Sequence, residues 1–119
     1  MKRIFVAGNY SADNVIDVLK NIGKGQQYCA ALFALGYYPF CPWHDKSYVI
    51  DNPYLEFNVE QFHQYSMAWL EVSDAVYVIS GKGKSGGVDA EIKRAKELGI
   101  PVFYEMVDLI CFKKEKETT

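Results

Sequence analysis

The chain has 119 residues, half of them hydrophobic, with nine Tyr, seven Phe and two Trp; that is enough for one domain with a full core. A net charge of −2 gives a nucleic-acid polymer no electrostatic footing. No apolar run approaches the roughly 20 residues of a membrane helix. Met1, Lys2 and Arg3 lead straight into a short strand-like run, unlike a signal peptide. Cys29, Cys41 and Cys111 are odd in number and far apart, so the expectation is a reduced, cytoplasmic protein with buried free thiols.

The first predicted element is a strand over Arg3–Ala7. A helix over Asn14–Leu35 follows, with Val15, Val18, Leu19, Ile22, Cys29, Leu32 and Phe33 at helical spacing. Gly23 and Gly25 weaken its middle, and a kink or a division is expected there. The second strand is Tyr38–Cys41. Pro42 to Phe57 is long, polar-aromatic and broken by Pro53, the pattern of a lid or binding loop. A second helix over Val59–Val72 carries Phe62, Tyr65, Trp69 and Val72. A third strand over Ala75–Ser80 precedes a helix over Val88–Leu98, which Gly99 stops and Pro101 follows. The fourth strand is Pro101–Tyr104 and a weaker fifth is Leu109–Phe112. From Lys113 to Thr119 the charged run reads as a frayed, flexible tail.

Strands that alternate with helices and are apolar on both faces predict a parallel sheet covered on each side. The expected architecture is one flavodoxin-like (Rossmann-like) α/β domain over residues 1–112. Its sheet would have five mainly parallel strands with helices on both faces, in the order 2-1-3-4-5. Ligands of such sheets bind at the carboxyl ends of the strands, where the order reverses. The loops there are "GNYSAD" (Gly8–Asp13) and "SGKGKSGG" (Ser80–Gly87). Both are small and glycine-bearing, and both feed a helix N-terminus. They fit an anion cradle of free backbone N–H groups, and equally a pair of ordinary tight turns.

Glu91 follows the second loop. Helical spacing places it with Val88, Ile92 and Ala95, on the inward side, while Asp89, Lys93, Lys96 and Glu97 look elsewhere. Dipole complementarity alone is a sufficient role for an acid near a helix start; an inward acid beside a ligand crevice also fits chemistry. Cys41 and His44 in "CPWH" lack a second pair of ligands, so no metal is expected. His63 reads as a surface or interface residue. Trp43, Tyr48, Tyr54, Phe57, Tyr65 and Trp69 exceed what packing alone requires; base stacking or a subunit interface would use the rest.

Four stretches, "FVAGNYSAD", "GYYPFCPW", "YSMAWLEVSDAVYVIS" and "KSGGVDAEIKRAKELGIPVFY", together resemble the nucleoside 2-deoxyribosyltransferase-like superfamily. The branch they resemble most is DUF4406, and the superfamily includes deoxynucleoside 5′-monophosphate N-glycosidases. The resemblance covers Lys2 to Tyr104. It implies a flavodoxin-like sheet with a site at its strand ends, no cofactor, and a homo-oligomer. It implies Glu91 as the nucleophile toward the anomeric carbon, with Tyr10 positioning it or the sugar. Gly8, Asn9, Ser11, Ser85, Gly86 and Gly87 would hold sugar and phosphate, and the serine at 85 suits a 5′-phosphate. His44 would contact the base.

Ser66 also falls in the substrate region, at a position where many relatives place an aspartate that orients or protonates the leaving base. Serine is no strong general acid. Either Tyr10, Asp45 or His44 takes that work, or the chain binds a nucleoside or nucleotide without turning it over. Phosphoribohydrolases of the cytokinin-activating kind offer a further comparison, because "SGGVDAE" meets their "PGGxGTxxE" pattern in part. A purely structural interaction domain is the remaining alternative.

Overall fold

The computed structural model describes residues 2–8, 13–45, 48, 50–79 and 86–117. In chain order the elements are β1 (Arg3–Ala7), α1 (Val15–Ala34), β2 (Tyr38–Phe40), a 3-10 turn (Pro42–Asp45), α2 (Val59–Glu71), β3 (Ala75–Val78), α3 (Gly86–Glu97), β4 (Val102–Phe103) and α4 (Met106–Glu117). All strand pairs are parallel and the order is β2-β1-β3-β4. Chain direction reverses its progress across the sheet between β1 and β3, which puts the switch point between those two strands.

Alternation along the central strands assigns each face its core. Ile4 and Val6 of β1 and Ala75 and Tyr77 of β3 meet Cys29 and Leu32 of α1 and Leu109 of α4. Phe5, Ala7, Val76 and Val78 point the other way, against Leu70 of α2 and Val88, Ile92 and Ala95 of α3. Registers Phe5↔Val76 and Val6↔Tyr77 keep the two sets aligned across the strands. Every residue from Ile4 to Ala7 is fully buried, which explains why this strand carries apolar residues on both faces.

Local chemistry sets the helix ends. Asn14 caps α1 by accepting a 2.9 Å hydrogen bond from Asp17 N–H. Asn58 and Gln61 form a reciprocal capping box on α2. Gly36 and Gly99 have positive φ (96° and 72°) just beyond α1 and α3. The N–H groups that follow reach back to Leu32 O (3.0 Å) and Ala95 O (2.8 Å), closing Schellman motifs.

The structure corrects four expectations. The sheet has four strands, because Leu109–Phe112 lies inside α4. Leu109 is fully buried and Phe112 partly so, whereas Val107, Ile110 and Cys111 are exposed. Burial three residues apart is helical, and a four-residue apolar run cannot show that by itself. The helix reaches Glu117 and so takes in part of the charged run from Lys113. α1 runs unbroken through Gly23 and Gly25. Its inward face is also narrower than the spacing implied, since Val15, Leu19 and Phe33 are exposed. Finally, Cys29 and Cys41 are joined as a disulfide and only Cys111 is free; packing of α1 on β2 brings together two residues 12 apart in sequence. The inference of a reducing compartment from free thiols therefore fails at two of its three positions.

Candidate functional site

Three strand ends converge at the switch point. Ile79 N–H donates to Ala7 O at 2.9 Å, extending the β1–β3 ladder to its carboxyl edge. Gly8 follows at once and is wedged there. A methyl group on it would lie 3.3 Å from Ile79 Cδ1 and 3.7 Å from Trp43 Cζ3. The backbone at the end of β1 is thus enclosed by the chain leaving β3 on one side and the 3-10 turn after β2 on the other.

Trp43 forms the wall on the β2 side, and it is 3% exposed. Its ring occupies a notch in α1 at Gly25, where a methyl group would come within 2.3 Å of Cζ2. Gly25 is therefore present to admit the ring, which explains a glycine in the middle of a 20-residue helix. The indole Nε1 is buried without a hydrogen-bond partner. Sequence reasoning counted Trp43 among the surplus aromatics and missed this role. The signal was present, as a bulky aromatic just past a strand paired with a glycine at a helix position that needs none.

On the opposite side of the switch point α3 begins at Gly86, with Gly87 exposed. Glu91 lies in its second turn. Val88, Ile92 and Ala95 pack against the sheet and fix the rotation of the helix, so Glu91 turns partly inward while Asp89 stays exposed. Glu91 Oε2 is inaccessible and has no hydrogen-bond partner among the described residues. Burial pushes its carboxyl up to about 8, because a carboxylate loses its hydration there. The protonated carboxyl is favoured there over the carboxylate.

Ser66 is buried on α2, one turn before Leu70, the residue that packs with Val88 and Ile92. Next to it lies an aromatic shelf against the edge strand. Phe40 stacks on Trp69 at 5.1 Å and on Phe5 at 5.8 Å. Tyr48 meets Tyr65 edge-on at 5.9 Å, with their hydroxyls 3.1 Å apart. Tyr48 and Trp69 remain about half exposed. His63 is exposed on α2.

Of the residues singled out in the sequence, Gly8, Ser66, Gly87 and Glu91 are described here, and Gly86 opens α3. Asn9, Tyr10, Ser11 and Ser85 lie outside the described residues, as does the His44 side chain. Among the described residues, no group of three His, Cys, Asp or Glu side chains is placed to hold a metal ion. No described helix is long and apolar enough to cross a membrane.

Two solved structures share this fold. A 2-deoxyribosyltransferase from the psychrotolerant bacterium Bacillus psychrosaccharolyticus is 22% identical, with a TM-score of 0.60 over 84% of this chain and 69% of that one. A conserved protein from Enterococcus faecalis V583 is 18% identical, with a TM-score of 0.70 over 86% of this chain; the chain spans 61% of that protein's length. At these identities the likeness establishes a shared α/β fold and nothing finer. No curated protein matches the chain. The sequence resemblance pointed to the DUF4406 branch; the family that matches is another, a domain of unknown function, DUF7768, over residues 2–105. That match spans the whole sheet and three of the four helices described above, and the chain belongs to the DUF7768 family.

Proposed function

We propose that the chain cleaves or transfers at the N-glycosidic bond of a nucleoside monophosphate, with Glu91 as nucleophile. The observation that carries this reading is Glu91 Oε2, buried with no hydrogen-bond partner among the described residues, on the helix that follows β3. Breaking a glycosidic C–N bond leaves the electron pair on the base nitrogen and positive charge on the sugar. A carboxyl without a counter-charge is suited to that cation, because the ionised form is stabilised only when the cation develops. A Glu91 oxygen would then bond the anomeric carbon as the C–N bond breaks, and the proton of the carboxyl would pass to the departing base nitrogen. Water or a second base would break the new bond and regenerate the acid.

The other contacts follow from position. The start of α3 at Gly86 and Gly87 offers backbone N–H groups to a phosphate, with Ser85 adding a hydroxyl. Gly8, at the end of β1, would present its backbone to a sugar, with Asn9, Tyr10 and Ser11 following it in the chain. Tyr10 would position the sugar or Glu91, and His44 and Ser66 would lie toward the base. The fold shared with a 2-deoxyribosyltransferase supports a small nucleoside-type partner.

One observation favours a second reading, a nucleotide-binding or sensing module without turnover. Ser66 stands where a general acid would protonate the leaving base. The test is to incubate the protein with a panel of ribo- and deoxyribonucleoside monophosphates and measure free base by chromatography, with Glu91→Gln alongside. Free base from the wild type alone supports the glycosidase. Binding by calorimetry without release from any substrate replaces it with the sensor.

A further inference from the structure

We propose that the Cys29–Cys41 disulfide is a redox latch that holds the Trp43 turn against α1 and thereby sets one wall of the switch-point crevice. Its control of ligand rests on reading that crevice as the ligand site. Cys41 is the first residue after β2 and lies two before Trp43. Its partner, Cys29, lies on α1 one helical turn after Gly25, the residue whose missing side chain admits the Trp43 ring. Bond and ring thus engage one stripe of one helix. The far edge of the same ring abuts Gly8 at the end of β1. A covalent tie on one side of Trp43 is in this way linked through a single rigid ring to the crevice on the other. Cys29, Cys41 and Trp43 share one buried cluster with Ile4 and Val6 of β1, so a shift of the turn is felt by the central strand.

The chemistry balances as thiol–disulfide exchange with a dithiol reductant. One reductant thiolate attacks one sulfur, the second reductant thiol resolves the mixed disulfide, and two cysteine thiols are left with an oxidised reductant. Both cysteines are more than nine-tenths buried, so exchange proceeds through opening of the Pro42–Asp45 turn. Once reduced, the turn is held by packing alone. Closing so short a loop covalently changes an opening equilibrium by roughly 100-fold, which sets the size of the effect.

The test compares unreduced protein, protein treated with dithiothreitol, and Cys29→Ser. Alkylation with mass detection should add one group, at Cys111, before reduction and three after it. Hydrogen exchange should then speed up by roughly 10- to 100-fold at Cys41, Trp43 and Gly8, while the amides of β3 and α3 keep their protection. Cys29→Ser should match the reduced protein without any reductant. Labelling of all three cysteines before reduction overturns the proposal. So does exchange that is unchanged, or that rises evenly through the core as loss of a merely stabilising cross-link would make it. Base release from deoxynucleoside monophosphates is followed in both redox states. Equal rates in the two states, with the turn opened, refute control of the site. Local opening with no release in either state leaves the latch standing and overturns the glycosidase reading instead.

Discussion

Replacing Glu91 by glutamine should make stability less sensitive to pH. Burial moves this carboxyl from 4.5 to about 8, so its ionised form costs up to about 5 kcal/mol more in the fold than in the unfolded chain. Below about pH 4.5 the group is protonated in both states, and variant and wild type should be similar in stability. Between 4.5 and about 8 the unfolded chain gives up the proton while the folded one keeps it. Wild-type stability should fall through that window by about 1.4 kcal/mol per pH unit relative to Glu91→Gln. Above about 8 both states are ionised and the difference levels off. Urea unfolding of both proteins at pH 5 and pH 9 measures this, since titrations elsewhere are common to the pair and cancel. A gap that widens by 2–5 kcal/mol in favour of the variant is the expected result. Parallel stability–pH curves would refute the reasoning, because they would mean that the carboxyl is solvated or neutralised by a partner.

Further expectations concern packing and caps. Gly25→Ala should destabilise by about 1–3 kcal/mol through its collision with Trp43, whereas Gly23→Ala, with open space around it, should stabilise by about 0.5–1 kcal/mol; thermal melts of the two variants give opposite signs if the notch is real. Asn58→Ala removes the side-chain half of the α2 capping box, the acceptor for Gln61 N–H, and leaves the backbone N–H at 58 to donate to Gln61 Oε1; it should cost about 1 kcal/mol in urea unfolding. Arg94 bridges Glu71 and Glu97 at 3.1 and 3.2 Å on exposed surface; Arg94→Ala should barely move the urea midpoint, and less still in high salt.

The βαβ alternation was legible because buried strands and amphipathic helices leave different periods. Arg3–Ala7 and the Gly99 stop needed no structure to be found. Glu91 was legible for a related reason, as its neighbours at positions 88, 92 and 95 set which way the helix faces. What the sequence could not show depended on contacts between distant residues. Gly25 reads as a helix breaker until the Trp43 ring is seen above it. Cys29 and Cys41 read as separate thiols until α1 lies on β2. The run at 109–112 is too short to carry a period, and only its burial by the β1 face marks it as helix. The shelf of Phe40, Tyr65 and Trp69 brings together two elements whose packing neither announces.

The placement of β1 has a consequence for synthesis. It is made before the other described elements, yet it is central, and its ladder to β3 joins Ile4 to Ala75 and Ala7 to Val78. While the intervening segments emerge from the ribosome, that edge has no partner. Only the three-residue pairing with β2 and packing by α1 are available to it. Ile4, Phe5, Val6 and Ala7, all wholly enclosed in the finished protein, form a short apolar strand that stays exposed in the nascent chain until β3 arrives. Such a segment is a natural point for chaperone contact and for intermolecular strand pairing. Slowing translation before residue 75 should therefore lower the soluble yield more than slowing it afterwards.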